Sequence, residues 1–344
     1  MNNGKPKKII LDADIGWMND DSTSAIFALK SSEIDILGIT PVMGNFDLNW
    51  EVACALRLLE VLGHEDVPVC PGFDRPLLHK RDAYADSVWG GWATFKKFDT
   101  IPPGMPSSQP DPRHAVDFIA EMVRKYPGEV TIVAIGPLTN VAVAIRKYPD
   151  IISKIEQLVI MGGAFGTLPM GHGNQTLTAE FNFWVDAEAV RIVLESGIPT
   201  VLMPLNVCRK TRLNREIYER LASPDSDFPE VAELFRTYIE PHYRNAGYID
   251  GNEALYFGLY DHTTLAYLIN PDLFHGLDMS VEVSVKEGLD YGTSYGYVSG
   301  TLYPFKDDCQ YPYYRGAPII KVIHDLDFDG LVELYVSTLT KREI

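Results

Sequence analysis

The stretch IILDADIGWMNDD, residues 9 to 21, sets four aspartates, Asp12, Asp14, Asp20 and Asp21, at the end of an apolar run. A short run rich in β-branched residues reads as a buried strand. Two like charges about 4 Å apart, at an effective dielectric near 20, repel by about 4 kcal/mol. Several such pairs at a buried strand end need protons or a cation to compensate them. The nearby basic residues, Lys5, Lys7 and Lys8, stand at the other end of the strand. A hard divalent cation is the better compensation, because oxygen ligands suit calcium or magnesium. The competing reading is that Asp20 and Asp21 only cap and charge a helix N-terminus.

The elements that must position these groups follow an alternating pattern. KKIILDAD is strand-like, and DDSTSAIFALKSS has helical spacing at Ala25, Ile26 and Leu29. IDILGITPVMG reads as a strand, NWEVACALRLLEVLG as a helix ending at Gly63, and VPVCPG again as a strand. Residues 74 to 112 read as a long loop, which in a compact domain usually serves function. The alternation resumes with HAVDFIAEMVRKYPG, EVTIVAIG, PLTNVAVAIRKYP, IEQLVIMGG, DAEAVRIVLESG and TVLMPL. Strands alternating with helices predict an α/β fold, a single open, mostly parallel sheet flanked by helices. After about residue 275, MSVEVSVKEG and APIIKVIHDLD read as a β-rich C-terminal appendix, followed by a last helix near DGLVELYVSTLTKR. No linker stands out, so residues 1–344 read as a single domain. Ligands of open parallel sheets bind beyond the carboxyl ends of strands. The aspartate cluster, Met43-Gly44-Asn45, residues 134–140 and residues 161–166 all fall at such ends.

Composition narrows the partners. The 344 residues are 46% hydrophobic, enough for a large core. With 47 acidic against 30 basic residues the formal charge is −17, which repels phosphate backbones and argues against nucleic-acid binding. The cysteines Cys54, Cys70, Cys208 and Cys309 match no zinc spacing, and Cys54 and Cys70 read as small buried hydrophobes. The N-terminal MNNGKPKK lacks the apolar region of a signal peptide, and no apolar run approaches the ~20 residues that span a bilayer. A cytoplasmic protein with no membrane partner is the expectation.

Taken with the blocks GNFDLNWEVACALRLLEVLGHEDVPVCPGFDRPL, AIGPLTNVAVAI, MGGAFG, GNQTLTAEFNFWVDAEA and YDHTTLAYLINPD, in that order, the chain resembles the inosine-uridine type of nucleoside hydrolase over most of residues 7 to 273. That resemblance implies a Rossmann-like single domain that hydrolyses the N-glycosidic bond of ribonucleosides to free base and ribose, with calcium held in the pocket. It assigns Asp14 as general base and calcium ligand. Asp21 is implied as a bidentate calcium ligand, and the carbonyl of Ile135 and Asp261 as further ligands. Asp20 and Asn45 would hold ribose hydroxyls, with Asn174, Glu180 and Asn182 on the sugar's other side. Asp12 would orient the loop. The partner implied is a small-molecule nucleoside, and the assembly a homodimer or homotetramer. Such a pocket suits the chemistry, since an oxocarbenium-like sugar develops positive charge that carboxylates stabilise.

The chain departs from the resemblance at several positions. Tyr260 stands where inosine-uridine-preferring members carry a histidine that activates the leaving base. Trp89, in WGG, stands where they often show a histidine. Both resemble a purine-preferring branch, in which an aromatic stacked on the base raises the basicity of its ring nitrogen. Asn206 stands where an aspartate is frequent, and the span before Asp20 is two residues longer than the commonest spacing. Trp92 and Trp184 read as packing and His262 as structural. His172, Tyr243, Arg244, Asn245 and Tyr248 are candidates to reach the base. Three alternatives stay open: hydrolysis of another ribosyl compound, a nucleoside- or ribose-binding protein without turnover, and a haloacid-dehalogenase-like phosphohydrolase with Asp12 as nucleophile and Asp14 as acid. Against the last, Gly16 sits where Thr or Val is usual.

Overall fold

β1 (Lys7–Ala13) lies between two parallel neighbours, β2 (Ile34–Pro41) and β3 (Val130–Ala134). This accounts for its unbroken apolar run, since an interior parallel strand is covered on both faces. The computed structural model describes residues 5–79, 101, 103–239, 249–250, 254–255, 258–298 and 319–342. Next to β3 come β4 (Ile155–Met161) and β5 (Thr200–Met203), both parallel. The eight-stranded sheet is completed by β8 (Phe274–Val283), β9 (Ser294–Val298) and β10 (Ile319–Leu326), in the order β2-β1-β3-β4-β5-β10-β8-β9. A small hairpin, β6 (Ile249–Asp250) with β7 (Ala254–Leu255), stands apart from it.

This is the expected α/β arrangement, with two local differences. The C-terminal β segments extend the main sheet. β10 runs parallel to β5 through Lys321 and Val322, and antiparallel to β8 along most of its length. The segment expected as a strand at VPVC forms only an isolated bridge from Val69 to Ile39. Residues 74–79, 101 and 103–112 carry no helix or strand, and the rest of the expected long loop lies outside the described residues.

Helices form where their start and stop signals stand. Asp20–Lys30 is capped by Asn19, and Leu48–Leu62 by Asp47, whose carboxylate accepts from the Trp50 backbone N–H. Helices Ala115–Lys125, Thr139–Lys147, Ala187–Leu194, His262–Ile269 and Phe328–Thr340 complete most of the two covering layers. One apolar cluster carries Ile9, Leu11 and Val133 with the helices around residues 26, 58, 265 and 335, and another carries Ile10, Ile132 and Val322 with those around 119, 144 and 190. Neighbouring residues of β1 therefore face opposite layers, as alternation along a strand requires. Among the described residues, no helix is long and apolar enough to cross a membrane.

Leu48–Leu62 stops where Gly63 turns left-handed at φ 72°, its N–H reaching the carbonyls of Leu59 and Glu60. A Cβ there would meet nothing within 4 Å, so its cost is conformational alone. Gly63→Ala is expected to lower unfolding stability by about 1 kcal/mol, read as a lower denaturant midpoint at unchanged slope, with catalytic activity unaltered.

Candidate active site

The carboxyl ends of β1 to β5 share one edge of the sheet, and a cavity of about 140 Å³ opens near them. Asp14, Asp20 and Asp21 line it from the loop after β1, and Gly44 and Asn45 from the loop after β2. Ile135 enters from the end of β3 and Met161 from the end of β4. Asn174, Glu180, Phe181 and Asn182 line it from the segment that starts a short helix, Phe181–Val185. Tyr260 and Asp261 lie just before helix His262–Ile269. Of the residues singled out for the metal, the sugar and the base, Asp14, Asp20, Asp21, Asn45, Ile135, Asn174, Glu180, Asn182, Tyr260 and Asp261 meet in one pocket, Asp12 and His172 do not line it, and Trp89, Trp92, Tyr243, Arg244, Asn245 and Tyr248 lie outside the described residues.

Asp14 is buried, and the Asn45 backbone N–H donates to its Oδ2 at 2.7 Å. Glycines allow the chain to come this close. A Cβ at Gly44 would stand 2.2 Å from Asp14 Oδ2, and one at Gly136 2.8 Å from the Asp14 nitrogen. Asp21 is buried on the first turn of helix Asp20–Lys30. Its Oδ2 accepts from Asn19 Nδ2 at 2.8 Å and Asn45 Nδ2 at 3.3 Å, while its Oδ1 is buried with no hydrogen-bond partner. Asp261 is buried at a helix start without capping it, and Asp20 is half-buried.

Burial raises all four carboxyl groups above the ordinary range, and repulsion from neighbouring carboxylates adds to this for Asp14, Asp21 and Asp261. Asp21 feels Asp14, Asp261 and Asp20, and Asp261 feels Asp20, Asp14 and Glu180. No lysine, arginine or histidine is among the described residues lining the cavity. One oxygen from each of Asp20, Asp21 and Asp261 lies within 4.8 Å of the others. An all-oxygen set of buried, mutually repelling carboxylates with an unpartnered oxygen fits a hard divalent cation such as calcium. A soft or thiolate-seeking metal fits it poorly.

Glu180, Asn182 and Asn174 form another part of the lining. Glu180 caps the helix Phe181–Val185, accepting from the backbone N–H groups of Asn182, Phe183 and Gly163. Burial raises its carboxyl group, and these three donors oppose the shift. Asn182 Nδ2 donates to the carbonyls of Ile135 at 2.9 Å and Met161 at 3.2 Å, tying the ends of β3 and β4 together. Asn174 is exposed at the rim, its Oδ1 taking the Phe181 N–H at 2.8 Å.

Asp12 stays off the lining. Its Oδ2 accepts from Thr40 Oγ1 at 2.6 Å and Asn140 Nδ2 at 2.9 Å, joining β1 to β2 and to the helix after β3. Burial pushes its carboxyl group up to about 7. His262 is fully buried with its ring 4.8 Å from that of Tyr335, so it is a core residue held neutral by burial. Trp184 is core packing. His172 is exposed and off the described lining, its backbone carbonyl held by Arg209. Asn206 also stays off the lining: its Oδ1 accepts from the Phe165 N–H and its Nδ2 donates to the carbonyls of Phe165 and Pro169. An aspartate could accept there but not donate. Cys54, Cys70 and Cys208 are buried free thiols.

Three residues escaped sequence reasoning. Phe181 is a lining residue hidden between two better signals. Asn19 was marked only by preceding two acidic residues at a helix start. Glu51 is fully buried, and its Oε1 accepts from the Phe46 N–H at 3.1 Å. Burial first and then Asp14 hold its carboxyl group well above the ordinary range. Its signal was visible, since it shares the apolar stripe of Ala55, Leu59 and Leu62.

A profile of the inosine-uridine preferring nucleoside hydrolases matches residues 9–333. An uncharacterised protein of Schizosaccharomyces pombe is 38% identical over 290 residues, 83% of this chain and 88% of that protein. The pyrimidine-specific ribonucleoside hydrolase RihB of Escherichia coli O9:H4 is 35% identical over 288 residues, 83% of this chain and 86% of its own. Among solved structures, the plant nucleoside hydrolase PpNRh1 superposes with a TM-score of 0.79 at 31% identity, over 97% of this chain and 99% of that one. The purine-preferring ribonucleoside hydrolase from Gardnerella vaginalis follows at 0.77 and 27%, over 97% and 98%. The chain therefore belongs to the inosine-uridine preferring nucleoside hydrolase family, whose members are ribonucleoside hydrolases, glycosidases that cleave N-glycosyl bonds.

Proposed function

We propose that the chain, as one nucleoside-hydrolase domain, hydrolyses ribonucleosides to ribose and free base with calcium in the pocket. The observation that carries this is the meeting of Asp14, Asp20, Asp21 and Asp261 in one cavity with Asn174, Glu180 and Asn182. Asp14, Asp21, Asp261 and the Ile135 carbonyl are the residues that hold the cation. When bound, calcium supplies Lewis acidity that makes a water easier to deprotonate. Asp14 takes that water's proton as general base. Asp20 and Asn45 grip ribose hydroxyls from one side, and Asn174, Glu180 and Asn182 from the other. The carboxylates stabilise the positive charge that grows on the sugar as the bond to the base breaks. The working form is a cytoplasmic homodimer or homotetramer.

Purine nucleosides are the preferred substrates in this reading. Tyr260, partly buried in the lining, gives the base an aromatic neighbour where a histidine would protonate it. Trp89 is the second aromatic assigned to the base. Pyrimidine preference is the second reading, favoured by the 35% identity to RihB.

Release of reducing sugar from a panel of purine and pyrimidine nucleosides tests both. The native protein is expected to turn over purine nucleosides fastest, and fastest turnover of uridine or cytidine would select the second reading. Asp14→Ala is expected to lose on the order of 10²–10⁴-fold in kcat while its thermal midpoint stays close to that of the parent; undiminished turnover would remove Asp14 from the role of base. Asp261→Ala is expected to purify with far less calcium per chain than the parent, by elemental analysis. Equal calcium in both would exclude Asp261 as a ligand.

A further inference from the structure

We propose that Asn19 is a positioning residue for the metal site: its side-chain amide orients the Asp21 carboxylate toward the cation. The proposal rests on the calcium reading above and assigns a part of that site to a residue outside the cavity lining.

The Asn19 amide performs two tasks at once. Its Oδ1 accepts from the backbone N–H groups of Gly16 at 3.2 Å and Ser22 at 3.1 Å, and from Ser22 Oγ at 3.2 Å. These bonds close the loop after β1 and cap helix Asp20–Lys30. Its Nδ2 points the other way and donates to Asp21 Oδ2 at 2.8 Å. Asn45 Nδ2 adds a second, longer bond to that oxygen. Oδ2 is thus occupied by two amides, while Oδ1 is buried and without a partner. The two amides thus fix the direction in which the Asp21 carboxylate presents its unpartnered Oδ1.

Few side chains could replace this amide. Aspartate would accept as Asn19 does but has no hydrogen to give. Serine and threonine cap well but have no second arm to reach Asp21. The loop around Asn19 is held firmly. Met18, immediately before it, is buried in the core at φ 55°, a left-handed conformation that a non-glycine residue keeps only where its surroundings over-determine it. Because both Asn19 and Asn45 are neutral, they orient Asp21 without cancelling its charge, which a lysine or arginine at the same place would do.

Partners that orient a ligating group typically change metal affinity 10–100-fold when removed. Asn19→Ser separates the two tasks, because serine keeps the cap and loses the donor to Asp21. Parent and variant are stripped with a chelator, their thermal midpoints are recorded, and calcium alone is titrated in by calorimetry. The expected result is an apo midpoint close to that of the parent and a calcium Kd weakened about 10-fold or more. A residue that only caps the helix would leave the calcium Kd unchanged, and that result overturns the proposal. Should the serine variant fail to fold, Asn19→Thr makes the same separation with another good capping side chain. A parent protein that takes up no calcium overturns the metal reading itself, which a normal parent with an unaltered variant would not do.

Discussion

Like-charge crowding is the constraint on which the rest of the site depends. Asp14, Asp20, Asp21 and Asp261 are raised above their ordinary range by burial, and all but Asp20 also by their acidic neighbours. Among the described residues lining the cavity, no basic side chain relieves this. Donors to these carboxylates and their neighbours are neutral: the Asn45 N–H on Asp14, the Asn19 and Asn45 amides on Asp21, Thr40 and Asn140 on Asp12, and three backbone N–H groups on Glu180. Neutral donors fix direction and leave the charge in place. Paired cations such as Arg124 with Asp150 or Arg220 with Glu333 sit at the exposed surface instead. The unspent negative charge is what a divalent cation and an oxocarbenium-like sugar would both require.

The sheet supplies the crowding. Parallel strands end on one edge, so the loops after β1, β2, β3 and β4 converge without long excursions. Gly44 and Gly136 let two of those loops lie directly against Asp14, where a single methyl group would collide. Buried amides then stitch the ends together: Asn140 between β1 and β2, Asn182 between β3 and β4, and Asn206 across the loop after β4. Each donates through its side-chain amide, which a carboxylate could not do. At 206 the side chain both accepts from the Phe165 N–H and donates to the carbonyls of Phe165 and Pro169, a pair of tasks aspartate could not perform.

The aspartates after β1 were legible because residue type and place coincided: a dense acidic run at the end of an apolar strand. The convergence of Asn174, Glu180, Asn182 and Asp261 on that strand end came only through resemblance, because spacing says nothing of contacts across more than a hundred residues. The same reason hid the register of β10. Its alternating pattern was plain, but its pairing with β5 and β8 is set by distant partners. The segment at VPVC has strand-like residues, yet makes a single bridge at Val69. Glu51 and Asn19 show a subtler limit. Each has an ordinary local reading, a helix charge and a helix cap, and only the folded structure shows what else each side chain reaches.

The most direct test of a cation holding these carboxylates together is the thermal midpoint of chelator-stripped protein as free calcium is raised. A ligand that binds only the folded state stabilises it by about 4 kcal/mol at a thousandfold excess over its Kd. A midpoint that climbs by several degrees and keeps rising with the logarithm of calcium concentration would establish that the folded carboxylate cluster binds the ion. A midpoint indifferent to calcium would mean that the aspartates settle their repulsion by taking up protons, and the metal-centred account of the site would fall.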